Sequence, residues 1–146
     1  MAARLSFAVV MEEMLILTRH IKKENYSAAI LILLAELGVD FGSESCLQLR
    51  QTIQTKLLHP TWSYQEVYSA VGAEWDRGTV RSSIEINVRY VIEKAWSKRA
   101  EIDAWRIYMN EFGDKKPTNA EFIGKTVCIV ELWQSCYEEE NYAGGK

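Results

Sequence analysis

The longest helical pattern in the chain lies at residues 79–98 and limits the folds that the sequence can adopt. Apolar side chains recur there at steps of three and four residues, which aligns them on one stripe of an α-helix. The members of this stripe are Val80, Ile84, Val88, Val91 and Ala95. The opposite side carries Ser82, Ile86, Arg89 and Glu93, flanked by Ser83 and Tyr90. The pattern therefore predicts a helix that packs on a core and turns a polar face to solvent.

A second helical pattern precedes this one at residues 63–75. Ser63 is an N-cap candidate with Glu66 at the capping-box position, and residues 76–78 read Asp-Arg-Gly, which predicts a short break. Thr79 is then the expected N-cap of the longer helix. A helix, a short glycine-containing turn and a second helix with a polar outer face form a helix-turn-helix, whose second helix lies in the major groove of DNA.

Further helical patterns occur at residues 5–23, 27–37, 47–58 and 102–112, and a last one follows the capping pair Thr118 and Glu121. Gly38 and Gly113 are expected to end two of these helices, and residues 42–45 to form a polar connection. We expect an all-α, compact multi-helix domain that contains a helix-turn-helix, with one extra N-terminal helix. The domain is predicted at residues 26–138, after a helical extension at 1–25 and before a flexible tail at 139–146.

The composition is typical of a folded protein, with 48% apolar and 25% charged residues and only two prolines and eight glycines in 146 residues. The three cysteines form an odd set without a Cys-x-x-Cys pair, and neither histidine stands at a metal-ligand spacing from them. We therefore expect reduced thiols, no metal and a cytoplasmic location. The most apolar stretch, residues 28–37, is too short to span a bilayer, and no export signal is recognised at the start.

Patterns typical of an enzyme are missing from the sequence. The small residues at 42–46 lack the G-x-S-x-G spacing of a nucleophile elbow, and no phosphate-cradling glycine loop occurs. His20 and His59 are expected to be surface or capping residues. We therefore expect neither catalysis nor a cofactor or small-molecule substrate. The five tryptophans, Trp62, Trp75, Trp96, Trp105 and Trp133, stand at core-compatible spacings and are predicted to pack in the core.

The distribution of charge is uneven along the chain. The net charge of −3 argues against nucleic-acid binding, because a basic field is the usual mark of such proteins. Residues 77–99 nevertheless contain six basic and two acidic side chains, which gives this segment a charge of +4 and leaves −7 for the remainder. Positive charge is thus concentrated where a DNA-reading helix would lie.

Several short motifs occur in the order that one known family has. Residues 93–97 read Glu-Lys-Ala-Trp-Ser, after Glu85 and Arg89, and residues 116–123 read Lys-Pro-Thr-Asn-Ala-Glu-Phe-Ile. Further matches are Leu-Gly-Val at 37–39, Leu-Arg-Gln-Thr-Ile at 49–53, Val-Tyr at 67–68 and residues 71–75. Together they resemble the DNA-binding effector domain of the sporulation-initiation response regulator, stage-zero sporulation protein A. The similarity covers residues 34–123, and the motif at 116–123 is its most specific part.

This resemblance implies an all-helical DNA-binding domain that acts on transcription in a spore-forming type of Gram-positive bacterium or in one of its mobile elements. The family carries the domain behind a phospho-accepting receiver, whereas here one predicted helix precedes it, so we do not expect control by phosphorylation. In the family two arginines and a glutamate of the recognition helix contact bases. The arginines correspond here to Ser83 and Ile86, and the glutamate corresponds to Glu85. A bidentate arginine contact contributes about 1–3 kcal/mol of base discrimination, so we expect a different sequence preference.

Two functions follow from these observations. The first is a sequence-specific regulator of transcription that binds double-stranded DNA; a homodimer is compatible with it, since helix-turn-helix proteins commonly read paired half-sites. Its candidate phosphate contacts are Arg77, Arg81, Lys94, Lys98 and Arg99. Its candidate base contacts are Ser82, Ser83, Glu85, Ile86, Arg89 and Tyr90. The alternative is a degenerate helix-turn-helix domain that serves as a protein–protein interaction module without DNA binding, which the acidic net charge and an outward Ile86 favour.

Overall fold

The computed structural model of the chain describes residues 26–75 and 81–144. These residues form six α-helices and two short 3-10 helices and contain no β-strand, which confirms the expected all-α, multi-helix architecture. The helices are α1 (Tyr26–Glu36), α2 (Glu44–Leu58), α3 (Tyr64–Ala73), α4 (Arg81–Ser97), α5 (Asp103–Tyr108) and α6 (Asn119–Gly144). The helix predicted at residues 5–23 lies outside the described residues, and so do the turn and the Thr79 cap predicted between α3 and α4.

The end of α1 is fixed by backbone geometry and by a distant side chain. Gly38 adopts a positive φ of 79°, and the N–H of Val39 donates to the carbonyl of Leu34 at 3.0 Å, which is the Schellman arrangement predicted for a C-terminal glycine. The carbonyl of Leu37 accepts the indole N–H of Trp105 at 2.9 Å. Because a buried carbonyl is costly without a partner, this hydrogen bond ties the end of α1 to α5.

Capping boxes start α3 and α6 where the sequence predicts them. The hydroxyl of Ser63 accepts the N–H of Glu66 at 3.1 Å, and the Glu66 carboxylate accepts the N–H of Ser63 at 3.3 Å. Thr118 and Glu121 make the same reciprocal pair at 3.1 and 3.0 Å. Both predicted capping boxes are confirmed, and each satisfies backbone N–H groups that a helix leaves without internal partners.

The core is built around α2, which packs against α1, α3, α4 and α6. Leu49 and Ile53 of α2 are completely buried. The surrounding helices contribute Leu33, Leu34, Ile84, Val88, Ile92, Phe122, Ile123 and Trp133 to the same core. Burial of one such large apolar side chain contributes about 1.5–3 kcal/mol, so this cluster is the main source of stability and holds α4 in place.

The beginning of α2 differs from the expected boundary. Residues 42–45 were expected to form a polar connection, but the hydroxyl of Ser43 accepts the N–H of Cys46 at 3.1 Å and caps the helix. Glu44 and Ser45 therefore belong to α2. A serine favours an N-cap because its oxygen satisfies a free N–H of the first turn, and this local rule identifies the start of the helix better than apolar spacing does.

The C-terminal third also differs from the expected boundaries. The single helix predicted at residues 102–112 is wrong, because α5 ends at Tyr108 and a separate 3-10 helix covers Asn110–Phe112. Met109 leaves helical geometry with φ −121° and ψ 23°, a change that spacing of apolar residues does not reveal. α6 continues to Gly144, although we expected it to give way to a tail after residue 138.

The tryptophans do not all belong to the core. Trp105 and Trp133 are buried, and Trp75 and Trp96 pack against the core while partly buried. The prediction is wrong for Trp62, whose ring stacks on the exposed His59 with centroids 3.8 Å apart. His59 itself is the C-cap of α2, which confirms its predicted capping role. Trp62 thus is half-buried and lies outside the core, immediately before α3.

Replacement of Gly38 by alanine should destabilise the fold. A side chain in this left-handed conformation costs about 1–2 kcal/mol, and a Cβ here would overlap the side chain of Ile102, so we expect the free energy of unfolding to fall by at least about 2 kcal/mol. Gly42→Ala is the matched control, because its Cβ meets no atom and its φ is not in that region. We expect that control to remain within about 0.5 kcal/mol of the parent in urea unfolding. Equal stability of the two variants would contradict this account of the α1 terminus.

Candidate nucleic-acid interface

The candidate interface is the outer face of α4. The exposed side chains on this helix that were predicted to contact DNA bases are Ser82, Ile86, Arg89 and Tyr90. Ile86 and Tyr90 expose 59% and 62% of their surface, and Arg81 is exposed in the first turn of the helix. We use "outer face" for these five residues. The opposite stripe predicted for the core is buried at Ile84, Val88, Val91 and Ala95.

Two side-chain amide hydrogen bonds connect α4 to its neighbours, one to α2 and one to α6. Asn87 donates from Nδ2 to Oε1 of Gln48 on α2 at 2.8 Å, and Gln48 is only 3% exposed. Asn119, the first residue of α6, donates from Nδ2 to the backbone carbonyl of Glu85 at 2.9 Å. Because a buried amide is costly without partners, these hydrogen bonds oppose rotation of α4 about its axis. They fix which residues form the outer face.

Glu85 lies on one flank of α4 rather than on the outer face. Its carboxylate is half-buried and stands 3.9 Å from the guanidinium of Arg89. Both residues border a cleft of about 450 Å³ between α3, α4 and the start of α6, where Lys116 also pairs with Glu93 at 2.6 Å. The two cations and two carboxylates of this cleft balance each other. Ser83, the other predicted base contact matched to the family, is half-buried as well.

Lys94 and Lys98 meet one carboxylate on the opposite flank. Asp40, in the connection between α1 and α2, lies 3.0 Å from Lys94 Nζ and 3.4 Å from Lys98 Nζ. The hydrogen bond from Lys94 and the charge of Lys98 hold the pKa of Asp40 below its ordinary value, and the same contact raises the pKa of Lys94. All three side chains remain exposed to solvent to a large extent. The two lysines therefore form a cationic edge beside the outer face. Asp40 offsets one of the two positive charges of this edge.

Arg99 lies beyond the end of α4, in a 3-10 turn. Its guanidinium stands 3.8 Å from the centre of the Trp96 ring and donates to the Trp96 carbonyl at 3.2 Å. These contacts direct the side chain toward a cleft that Trp105 and Arg106 also border, rather than toward the outer face. Arg77, the remaining predicted phosphate contact, lies outside the described residues.

Sequence reasoning missed two residues that shape this interface. Asp40 contacts Lys98 across 58 residues of sequence, and Gln48 contacts Asn87 across 39. Helical periodicity compares positions within a few turns only, so it contains no signal for either pair. The sequence contained one local sign of such a contact. Gln48 is a polar residue at a core-facing position of α2, and a buried polar side chain needs a hydrogen-bond partner.

Metal clusters and membrane-spanning helices are not found in residues 26–75 and 81–144. No group of three or more His, Cys, Asp or Glu side chains there could hold a metal ion, and none of the helices in that part is long and apolar enough to cross a membrane. All three cysteines are free thiols, with Cys46 buried and Cys128 exposed. Comparisons of the chain with models of protein families, with curated proteins and with solved structures found no match.

The ion pairs of Asp40 predict a lowered pKa for its carboxyl group, which can be measured. An NMR titration of its side-chain carboxyl should give a value below 3.8, and Lys94→Gln should raise it toward that value because the strongest partner is lost. Since the folded pKa is depressed, the pairing stabilises the fold above the pKa of the unfolded chain, and this contribution is lost as the pH falls through the folded pKa. Lys125→Gln, which removes the partner of Glu111 elsewhere, should leave the Asp40 pKa unchanged. An ordinary pKa for Asp40 in the parent protein would rule out the pairing in solution.

Proposed function

We propose that the chain is a sequence-specific regulator of transcription that binds double-stranded DNA through the outer face of α4, and that it is not an enzyme. One observation carries the proposal: α4 exposes Ser82, Ile86, Arg89 and Tyr90 along one side, with Arg81 exposed at its first residue, while the opposite stripe is packed on the core. The major groove admits an α-helix, and a helix held by a preceding packed helix is the geometry of a helix-turn-helix. The motif resemblance to the sporulation regulator's effector domain supports the same function.

The charges around α4 are compatible with DNA binding although the chain is acidic. Asp40 and Glu85 pair with Lys94, Lys98 and Arg89, but all these pairs are exposed. Exposed ion pairs contribute about 0–1 kcal/mol, so phosphate groups can replace the carboxylates at little cost. Binding to DNA also releases condensed counterions, and this release makes a favourable contribution to the free energy of binding.

Base reading would differ from that of the family. On the outer face, Arg89 can form the bidentate hydrogen bonds that favour guanine, and Ser82 can bond to several bases. Ile86 has no polar atom in its side chain and can only pack on an apolar group, of which the thymine methyl is the one in the major groove. We therefore expect the selected site to contain thymine opposite the centre of α4.

Selection from a pool of randomised duplexes tests this function directly. The purified full chain should enrich one sequence motif, with an affinity that falls steeply as salt increases. Arg81→Ala combined with Arg89→Ala should weaken binding to the enriched duplex at least about tenfold, because each arginine contributes a charged hydrogen bond. The slope of log affinity against log salt should become shallower by about one, because Arg81 is the phosphate contact of the two and Arg89 the base contact.

The matched control removes two cations from other helices. Arg106 on α5 and Lys125 on α6 make ion pairs away from the outer face, each with one half-buried member, so Arg106→Ala with Lys125→Ala should retain the affinity. An unchanged affinity in the Arg81 and Arg89 variant would contradict the assignment of the outer face. Failure of the parent protein to bind any duplex at low salt would contradict DNA binding itself.

A protein-interaction module is the second candidate, and exposed apolar side chains favour it. Ile86 and Tyr90 lie one turn apart on α4 and are more than half exposed, and Phe41, 42% exposed, borders the same cleft as Tyr90. Such side chains form a small apolar surface, which is common where one protein binds another. The surface would serve association of two copies of the chain or contact with a partner.

Ile86→Glu separates the two candidates. For an interaction module that self-associates, this charge should lower the sedimentation coefficient sharply, because it places an unpaired carboxylate in an apolar contact. Leu132→Glu is the control, since Leu132 is 55% exposed on α6, and it should leave sedimentation unchanged. Identical sedimentation of the parent and Ile86→Glu proteins at all concentrations would argue against self-association through α4.

A further inference from the structure

A shallow groove adjoins the outer face of α4 on the side of α3. It has a volume of about 540 Å³ and is bordered by Trp62 and Ser63 before α3, by one side of α3, and by Arg81 at the start of α4. Gln65 and Ser69 face the groove from successive turns of α3. Because Arg81 is the first residue of α4, the groove lies at the N-terminal end of this helix, next to Ser82 of the outer face in the sequence.

Four residues that border this groove carry hydrogen-bond donors that have no partner in the described part of the chain. These donors are the indole N–H of Trp62, the amide of Gln65, the hydroxyl of Ser69 and the guanidinium of Arg81, each on a residue that borders the groove. Across residues 26–75 and 81–144, none of these four groups has a hydrogen-bond or ion-pair partner. Glu66 also borders the groove, but its carboxylate accepts the N–H of Ser63 in the capping box. The groove thus offers donors and one free cation, a set that suits an anion rich in acceptor oxygens.

Trp62 is held in position before any ligand arrives. Its ring is stacked on His59 at an interplanar angle of 7°, and Lys56 Nζ donates to the Trp62 carbonyl at 2.6 Å and to the Pro60 carbonyl at 3.1 Å. A donor that is already oriented loses little conformational entropy on binding. This arrangement also accounts for a half-buried tryptophan outside the core, where the core prediction failed.

We propose that this groove binds a phosphate of the DNA backbone, with Arg81 supplying charge and Trp62, Gln65 and Ser69 supplying hydrogen bonds. The inference rests on the proposed function and adds residues of α3 to the interface. Half to two-thirds of protein–DNA hydrogen bonds go to phosphate and sugar, and the first helix of a helix-turn-helix crosses the backbone. These contacts fix the register of α4 on the duplex and do not read its sequence.

A neutral double variant tests the groove without changing the charge. Gln65→Ala with Ser69→Ala removes two donors from exposed positions on α3, so we expect affinity for the enriched duplex to fall about tenfold. The salt dependence should stay the same because no cation is lost. Ser135→Ala, at an exposed position on α6, is the control and should bind as the parent does.

Substitution of single phosphates by uncharged methylphosphonates locates the contact on the duplex. The parent protein should lose affinity when the contacted phosphate is replaced, whereas the Gln65 and Ser69 variant should be much less sensitive at that one position. Trp62→Phe, which keeps a ring against His59 but lacks the indole N–H, should reduce the penalty at the same phosphate. Methylphosphonates elsewhere in the site should affect the parent and the variants equally.

The possible results separate this inference from the function on which it rests. A parent protein that binds no duplex overturns both. A parent protein that binds, together with variants of equal affinity and an identical methylphosphonate profile, overturns the groove alone. Weaker binding that is uniform over all methylphosphonate positions also overturns it, because the lost contact would then not involve a particular phosphate.

Discussion

The hydrogen bond between Gln48 and Asn87 is the constraint on which the geometry of the candidate interface depends. Gln48 is almost fully buried in the central helix α2, and its Oε1 accepts from Asn87 of α4 at 2.8 Å. Loss of a partner for a buried amide costs about 1–3 kcal/mol, more than most apolar side chains would gain from a small shift of α4. The apolar stripe of α4 restricts its position, but this polar contact selects its rotation. Ile86, on the adjacent position of the helix, is therefore held outward.

The helices were predictable to the extent that local rules determine them. The capping boxes at Ser63 and Thr118 and the glycine that ends α1 satisfy free backbone groups by contacts within five residues, so the sequence alone identifies them. The break after Tyr108 was not predictable, because a 3-10 turn preserves apolar spacing while it changes the backbone. Trp62 was misassigned for a related reason: periodicity places a residue on a face but does not say whether anything covers that face.

The sequence alone predicted which residues of one helix form the candidate site. It predicted only part of the arrangement of their side chains around the helix axis. Ser82, Ile86, Arg89 and Tyr90 follow from helical spacing alone. The positions of Lys94 and Lys98 depend on Asp40, which belongs to the connection after α1 and reaches them only in the folded chain. Charge pairs of this kind arise from tertiary packing, and a sum over the sequence cannot distinguish a carboxylate beside α4 from one on a remote surface.

The acidic net charge does not decide between the two functions, since the distance of each carboxylate from α4 matters more than its number. At physiological salt the Debye length is about 8 Å, so charges on remote surfaces are largely screened from a duplex at α4. The carboxylates near the helix, Asp40, Glu85 and Glu93, would oppose a phosphate, and each already pairs with a cation at the surface. A phosphate that approaches these cations competes with a weak surface pair rather than with a buried one. The local field around α4 is consequently the quantity that would govern binding of a duplex by the proposed regulator, and in that field the basic side chains outnumber the acidic ones.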